Sequence, residues 1–426
     1  MKSKKENRGI TLIALAVTII VILILSGVTI GAVFSENGII SKAKEAANSM
    51  NNAVANDQAE LNDLLEELNE IMNSEWESNI EIPDPEPEEP PKLEETTGIQ
   101  DETVTVEDEY GNKVTIPKGF EVVEEEGTTV PEGIVIQDKD GNQFVWIPVG
   151  RVYKDNTGTN YSDIQLGRYT FDETNGTPTL VQAAYTEKSP KNYERLIILK
   201  DNVEFEYLEY ATRENPDGIV SDGADALNAI AKNLAGFVES VKRNYGYYIG
   251  RYEASYGSGS TVADYKPLSK VSTSTTFSTA TVGSLWNKVT QIEAAKISRN
   301  MYNNDSNVGA ESDLVNSYAW DTAIVFIQEM GNDIYANKHS INTSRKNTGT
   351  IGDKVCNIHD MASNCQEYST EYSNFFRNGA LPCVVRGGNY MNGGSYYAPQ
   401  IRDDLHDSTD RTVYDSFRVI LYLKII

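Results

Sequence analysis

The chain is poor in cysteine, in histidine and in basic side chains, and each shortage excludes a class of protein. Three cysteines, Cys356, Cys365 and Cys383, allow at most one bridge with a thiol left over, so no disulfide framework holds the fold. Three histidines, His339, His359 and His406, are scattered without the spacing of a zinc site. Lysine and arginine number 37 against 63 acidic side chains, a net charge of minus 26, and no long basic run occurs. Without a basic face the chain has nothing to hold a polyanionic backbone, which excludes nucleic acid as a partner. No G-x-S-x-G elbow, phosphate-binding loop or dinucleotide fingerprint is present. The hydrophobic share, 39%, is below the roughly 45–50% of ordinary globular chains, so part of the 426 residues builds no core.

What is present is unevenly spread. Residues 81–132 hold 17 acids against three lysines, a local charge of minus 14. Residues 1–9 run the other way, with Lys2, Lys4, Lys5 and Arg8 against Glu6. Residues 10–34 then carry no charge at all, and 25 residues of helix cross a hydrocarbon layer of about 30 Å. The basic leader places the N-terminus in the cytoplasm and everything from Ser35 onward outside it, in a single-pass topology. The order of leader, Gly9 and Ile10-Thr11-Leu12-Ile13-Ala14-Leu15 resembles a type IV prepilin N-terminus. That resemblance implies cleavage between Gly9 and Ile10 and methylation of the new amino terminus; an uncleaved anchor is the alternative. Ile10 and Ala14 stand where prepilins usually carry Phe and Glu, and the missing carboxylate weakens the case for regular pilus packing. Gly27 and Gly31 form a GxxxG that would let two such helices approach closely, the alternative being chance occurrence in an apolar helix; other pilin-like subunits would be partners through this N-terminal helix.

Residues 35–78 read as an amphipathic stalk helix, with Val54, Leu61 and Leu68 at seven-residue spacing. Residues 79–97 are an acidic proline-rich linker; five prolines and four acids in IPDPEPEEPP favour an extended spacer. Residues 98–130 form a small β segment. Two similar turns, Tyr110-Gly111-Asn112 and Asp140-Gly141-Asn142, sit between β-branched runs and predict two hairpins; the Asp138-x-Asp140-Gly141 string reads as turn chemistry, since it lacks the later Glu of a calcium loop. Residues 131–426 read as one α+β head rich in loops. Its helices are expected at 225–243, 286–297 and 313–330, and its strands include 247–249, 384–386 and 417–423.

Three strings in the head belong together. They are Tyr247-Tyr248-Ile249-Gly250-Arg251-Tyr252-Glu253-Ala254, Asp360-Met361-Ala362-Ser363-Asn364-Cys365-Gln366-Glu367-Tyr368, and Arg386-Gly387-Gly388-Asn389-Tyr390 with a closing Ser416-Phe417-Arg418-Val419-Ile420. In this order they resemble the formylglycine-generating enzyme (sulfatase-modifying factor) family over residues 131–426. The resemblance implies a C-type-lectin-like fold on the anchor and stalk helix. It also shows what is missing: the two copper-binding thiolates of the oxidases fall here on Asn392 and Tyr397, so no copper is expected. By the same resemblance, Asp360 and Glu367 through their carboxylates, and Ser363 and Cys365 through their carbonyls, would hold calcium; the alternative is that Asp360 and Glu367 brace the loop. Ser363, Gln366 and Tyr368 depart from the family string.

The segment after the Arg-Gly-Gly string is dense in Asn, Tyr, Ser and Asp, a mixture suited to recognition. Asn389, Tyr390, Asn392, Ser395, Tyr396, Tyr397, Asp403, Asp404 and His406 are expected to form a ligand-binding surface for an unknown protein or glycan; an ordinary polar loop is the alternative. No catalytic residue is assigned. The leading expectation is a cell-surface protein, membrane-anchored or pilus-associated, whose head binds a ligand without chemistry. The rivals are a divergent formylglycine-generating oxidase and a minor pilin with a structural role.

Overall fold

The structure, a computed structural model, describes residues 90–184, 195–200, 203–209, 234–302, 305–373, 382–392, 398–407 and 410–424. The leader, the apolar span, the stalk and most of the linker lie outside the described residues, and Gly9 and Ile10 with them. Among the described residues no helix is long and apolar enough to cross a membrane.

Both expected hairpins form, for the same local reason. Val104–Glu107 (β1) pairs antiparallel with Lys113–Ile116 (β2). Phe120–Val122 (β3), Val135–Asp138 (β4) and Gln143–Pro148 (β5) then form an antiparallel meander. In the first turn Asp108 Oδ1 accepts the N–H groups of Tyr110 and Asn112 at 2.9 and 2.8 Å. In the second, Asp138 Oδ1 accepts those of Asp140 and Asn142 at the same two distances. The second oxygen of each aspartate takes the side-chain amide of the turn's asparagine, at 2.9 and 2.8 Å. Asp138 spends both oxygens on the turn, as its short polar chain favours. These turns are geometric copies of one another.

Among the described residues nine further strands build two large sheets, and eight others pair as two-stranded ribbons, among them Ser255–Ser258 with Lys266–Leu268. The nine are Arg195–Lys200 (β6), Val203–Glu209 (β7), Gly246–Gly250 (β8), Ala310–Leu314 (β9), Gln366–Ser373 (β10), Pro382–Arg386 (β11), Arg402–Asp407 (β12), Asp415–Phe417 (β13) and Val419–Leu423 (β14). One six-stranded sheet runs β9-β14-β8-β5-β4-β3; the other runs β6-β7-β10-β11-β12, with β13 parallel to β10. Strand β8 is buried at every position, as its Tyr-Tyr-Ile run demands. Its two phenols find partners inside the core: Tyr247 donates to the Ala319 carbonyl at 2.5 Å and Tyr248 to the Thr115 carbonyl at 3.0 Å.

Three α-helices pack on these sheets among the described residues. The first is described over Leu234–Asn244 (α1) and buries Phe237, whose ring lies 5.2 Å from Tyr247 and 5.8 Å from Tyr422. Gln291–Asn300 (α2) starts later than the expected 286. Thr290 and Glu293 form a reciprocal capping box that fixes the start, and Trp286 instead stacks on Phe277 at 5.0 Å. Ser317–Met330 (α3) starts at the Asn316 cap, whose Oδ1 accepts the Ala319 N–H at 2.9 Å. Asp313, expected in that helix, belongs to strand β9 opposite Ile420. Helix α3 is buried over nearly its whole length, so its apolar pattern marks no clear start.

Candidate functional site

The Asp360–Tyr368 string forms a strained loop. Among the described residues six non-glycine residues have left-handed backbone angles, and four of them, Cys356 and Asn357 just before the string and Asp360 and Asn364 within it, fall within nine positions. Such clustering of costly conformations marks a segment held in place by its surroundings. Asp353 supplies part of the hold. Its carbonyl accepts the Asp360 N–H at 2.8 Å, and its Oδ2 accepts the Ala362 N–H at 3.0 Å. Its Oδ1 takes Lys338 Nζ at 2.6 Å.

Three carboxyl groups are buried beside this loop with one guanidinium. Glu253 Oε1 accepts the Cys365 N–H at 2.9 Å, and its Oε2 accepts Asn364 Nδ2 at 2.5 Å. Burial, then the nearness of Asp360 and Glu367, holds the Glu253 carboxyl well above the usual range. Asp360 Oδ2 accepts the Thr348 hydroxyl at 2.9 Å and the Gly349 N–H at 2.6 Å, while Oδ1 meets no hydrogen-bond donor among the described residues. Burial pushes the Asp360 carboxyl up to about 7. Glu367 is spoken for: Arg418 bonds to both its oxygens and also donates to the Gly250 and His359 carbonyls at 2.8 Å each.

That pairing competes with the calcium expectation for Glu367. Asp360, Ser363, Cys365 and Glu367 do share one loop, but a guanidinium already neutralises Glu367 and takes both its oxygens. Ser363 uses its hydroxyl to accept the Ile341 N–H at 3.3 Å. Among the described residues no three His, Cys, Asp or Glu side chains are placed to hold a metal. Asp360 Oδ1 has no donor among the described residues, while both oxygens of Glu367 are taken; a hard cation needs several free oxygens. His359 is likewise structural: its ring stacks on Tyr252 at 4.9 Å, and burial with nearby Arg251 depresses its pKa to about 3.

The expected ligand surface is divided by the structure. Asn389 is interior, donating Nδ2 to Gln366 Oε1 at 2.6 Å, and Gln366 Nε2 donates on to Asp403 Oδ2 at 3.2 Å. Asp404 is buried too. Asn389, Asp403 and Asp404 are thus buried rather than exposed, the first two tied together through Gln366. Tyr390 remains half-buried, its ring 5.8 Å from the Arg345 guanidinium. Asn392 ends a short turn at Tyr390–Asn392, and its side chain lies outside the description. Ser395, Tyr396 and Tyr397 lie outside the described residues. His406 is placed only by its backbone, opposite Cys383.

A second buried ionic group ties the Arg-Gly-Gly string to α3. Arg386 reaches Asp321 Oδ1 at 2.6 Å, Arg402 contacts both Asp321 and Glu371, and Arg168 also pairs with Glu371. Gly387 follows in a left-handed conformation, and a Cβ there would sit 2.6 Å from the Met361 carbonyl oxygen, so only glycine lets the two strings touch.

One residue that sequence reasoning passed over organises the outer face. Asn364 accepts the Lys346 N–H on Oδ1 at 2.9 Å, donates its own N–H to Asn342 Oδ1 at 3.1 Å and accepts the Tyr390 N–H on its carbonyl at 2.9 Å. With its bond to Glu253 it joins four segments through every polar group it has. Asparagine suits this position because it tolerates the left-handed angle of 68°. Above it the 341–351 loop outlines an open depression of about 320 Å³, lined by Ile341, Thr343, Ser344, Lys346 and Ile351 among others. Comparison of the chain with protein-family models, with curated proteins and with solved structures returned no match.

Proposed function

We propose that this chain is a bacterial surface protein, tethered by its apolar N-terminal helix or carried on a pilus, whose C-type-lectin-like head binds a ligand and performs no chemistry on it. The observation that carries the reading is the convergence on Asn364. Four segments are fixed by hydrogen bonds beneath an open, mostly polar depression, the arrangement of a preorganised recognition face. Exposed Ile341 and Met391 add apolar contact area on segments that meet through Asn364 and Ser363. The single charge in the depression, Lys346, favours an uncharged or weakly anionic polar ligand, protein or glycan. Residues 10–34 support the tether, and the basic leader supports a cytoplasmic N-terminus with the head outside.

The thiols support a binding role over an oxidase. Cys365 is buried and its thiol held well above the usual range, chiefly by burial, whereas copper chemistry needs thiolates. The test offers the detergent-solubilised full chain Cu(I) and a cysteine-containing sulfatase peptide. No aldehyde is expected in the peptide by mass spectrometry; sustained turnover would make the protein an oxidase. Protease added to intact cells should digest the head and spare the leader, and protection of the head would overturn the topology.

A further inference from the structure

A second cavity, of about 610 Å³, shares no residue with the depression below the 341–351 loop. It lies where the β4–β5 turn meets the 99–101 segment, the 257–268 hairpin and the chain after α2. Its volume falls in the range of small-molecule sites. Ile99, Leu268, Met301 and Val308 give it apolar walls. Tyr302 is more than nine-tenths buried and fixed, its hydroxyl donating to Asp138 Oδ2 at 2.6 Å. That bond locks the cavity wall to the duplicated turn, so this part of the site is preformed.

The charges around those walls are of both signs, three lysines against four aspartates. Lys139 is paired with Asp140 at 2.8 Å, and Asp138 is consumed by its turn and by Tyr302. This leaves Lys118 and Lys266 as cations and Asp101 and Asp305 as anions. Neither lysine forms an ion pair with a described residue. Gln100 and Asn307 add amides of the kind that bond peptide groups. An anionic lipid would meet two uncompensated aspartates here, and a metal ion would meet two lysines. A ligand that carries one charge of each sign around an apolar body satisfies both sets.

We infer that this cavity binds a short apolar peptide with free termini, its ammonium toward Asp101 and Asp305, its carboxylate toward Lys118 and Lys266, and its side chains on the apolar walls. The site is independent of the recognition face around Asn364, and its test does not depend on that face. Calorimetric titration of the solubilised full chain with trileucine should give saturable binding. The same peptide acetylated at its N-terminus and amidated at its C-terminus, which loses the charge-assisted contacts at both ends, should bind at least about tenfold more weakly. Lys266→Glu, at an exposed position, should weaken trileucine binding by a similar factor; should that variant misfold by circular dichroism, Lys118→Glu takes its place. Absence of binding, equal affinity for the capped peptide, or unchanged affinity in the lysine variant each overturns the assignment.

Discussion

Arg418 grips Glu367 with two prongs of its guanidinium, Nη2 to Oε1 at 2.5 Å and Nε to Oε2 at 2.9 Å, and neither side chain reaches solvent. The pair joins β10 to the segment between β13 and β14, and Glu253 and Asp360 lie close enough to act on it. Glu367→Gln keeps the shape and removes the charge, leaving a buried guanidinium uncompensated. The expected cost is about 3–5 kcal/mol of unfolding free energy in urea. A loss under about 1 kcal/mol would show that the pair does not hold these strands.

The same pairing makes a prediction about calcium. An ion bound at a hundred times its dissociation constant would stabilise the chain by about 2.7 kcal/mol. With Arg418 on both oxygens of Glu367, melting curves of the full chain in calcium and in chelator should superimpose. A clear rise in melting temperature with calcium would mean that Arg418 releases Glu367.

The duplicated turns make a paired prediction. Asp108 and Asp138 each accept two backbone N–H groups and a side-chain amide, and each has one further donor: the Val130 N–H at 2.8 Å for Asp108 and the Tyr302 hydroxyl at 2.6 Å for Asp138. Asp108→Ala and Asp138→Ala should therefore cost similar amounts, about 3 kcal/mol or more, because each strands several donors. Tyr302→Phe removes only one donor and should cost about 1 kcal/mol. Denaturation midpoints of the three variants check the ranking, and an Asp138→Ala cost no greater than that of Tyr302→Phe would defeat it.

How much of this was legible in the sequence depended on how local the cause is. Asp108 and Asp138 announced their hairpins because an aspartate, a glycine and an asparagine within five residues contain the whole turn. The capped starts of α2 and α3 were equally local but were read too early, since Trp286 and Asp313 carry the right polarity for either a helix or what they actually join. The candidate site was harder. Nothing near Asn389 says that it will turn inward to Gln366, because the partner is 23 residues away and the bond closes only once β10 and β11 pair. Asn364 hid for the same reason: its importance is the sum of bonds to segments near 253, 342, 346 and 390.

Asp313 makes stability depend on pH. It is buried, bonded to Arg299 at 3.0 Å, and its carboxyl is nevertheless raised to about 6, because desolvation outweighs the guanidinium. The unfolded chain releases this proton near pH 3.9, so between that value and about 6 the folded state holds more protons. Stability from this group is complete below the unfolded value, falls as pH rises through 6, and then levels. The difference is about 3 kcal/mol at most. Asp313→Asn should flatten the pH dependence of unfolding between about pH 4 and 6.5 relative to the parent chain. An unchanged slope would show that Arg299 keeps Asp313 ionised throughout.

The cysteines give a chemical readout of the same burial. Cys365 and Cys383 are fully enclosed, and burial holds the Cys365 thiol well above its usual range and pushes the half-buried Cys356 up to about 12. Alkylation depends on the thiolate. The native chain should therefore take up iodoacetamide far more slowly than the urea-unfolded chain, which should label at all three positions. A disulfide between any two would leave one label in the unfolded, unreduced protein, and fast native labelling of Cys365 would mean that the Asp360–Tyr368 loop opens. Opening of that loop would break the bond from the Cys365 N–H to Glu253, so the labelling rate also measures how firmly the network around Asn364 is held.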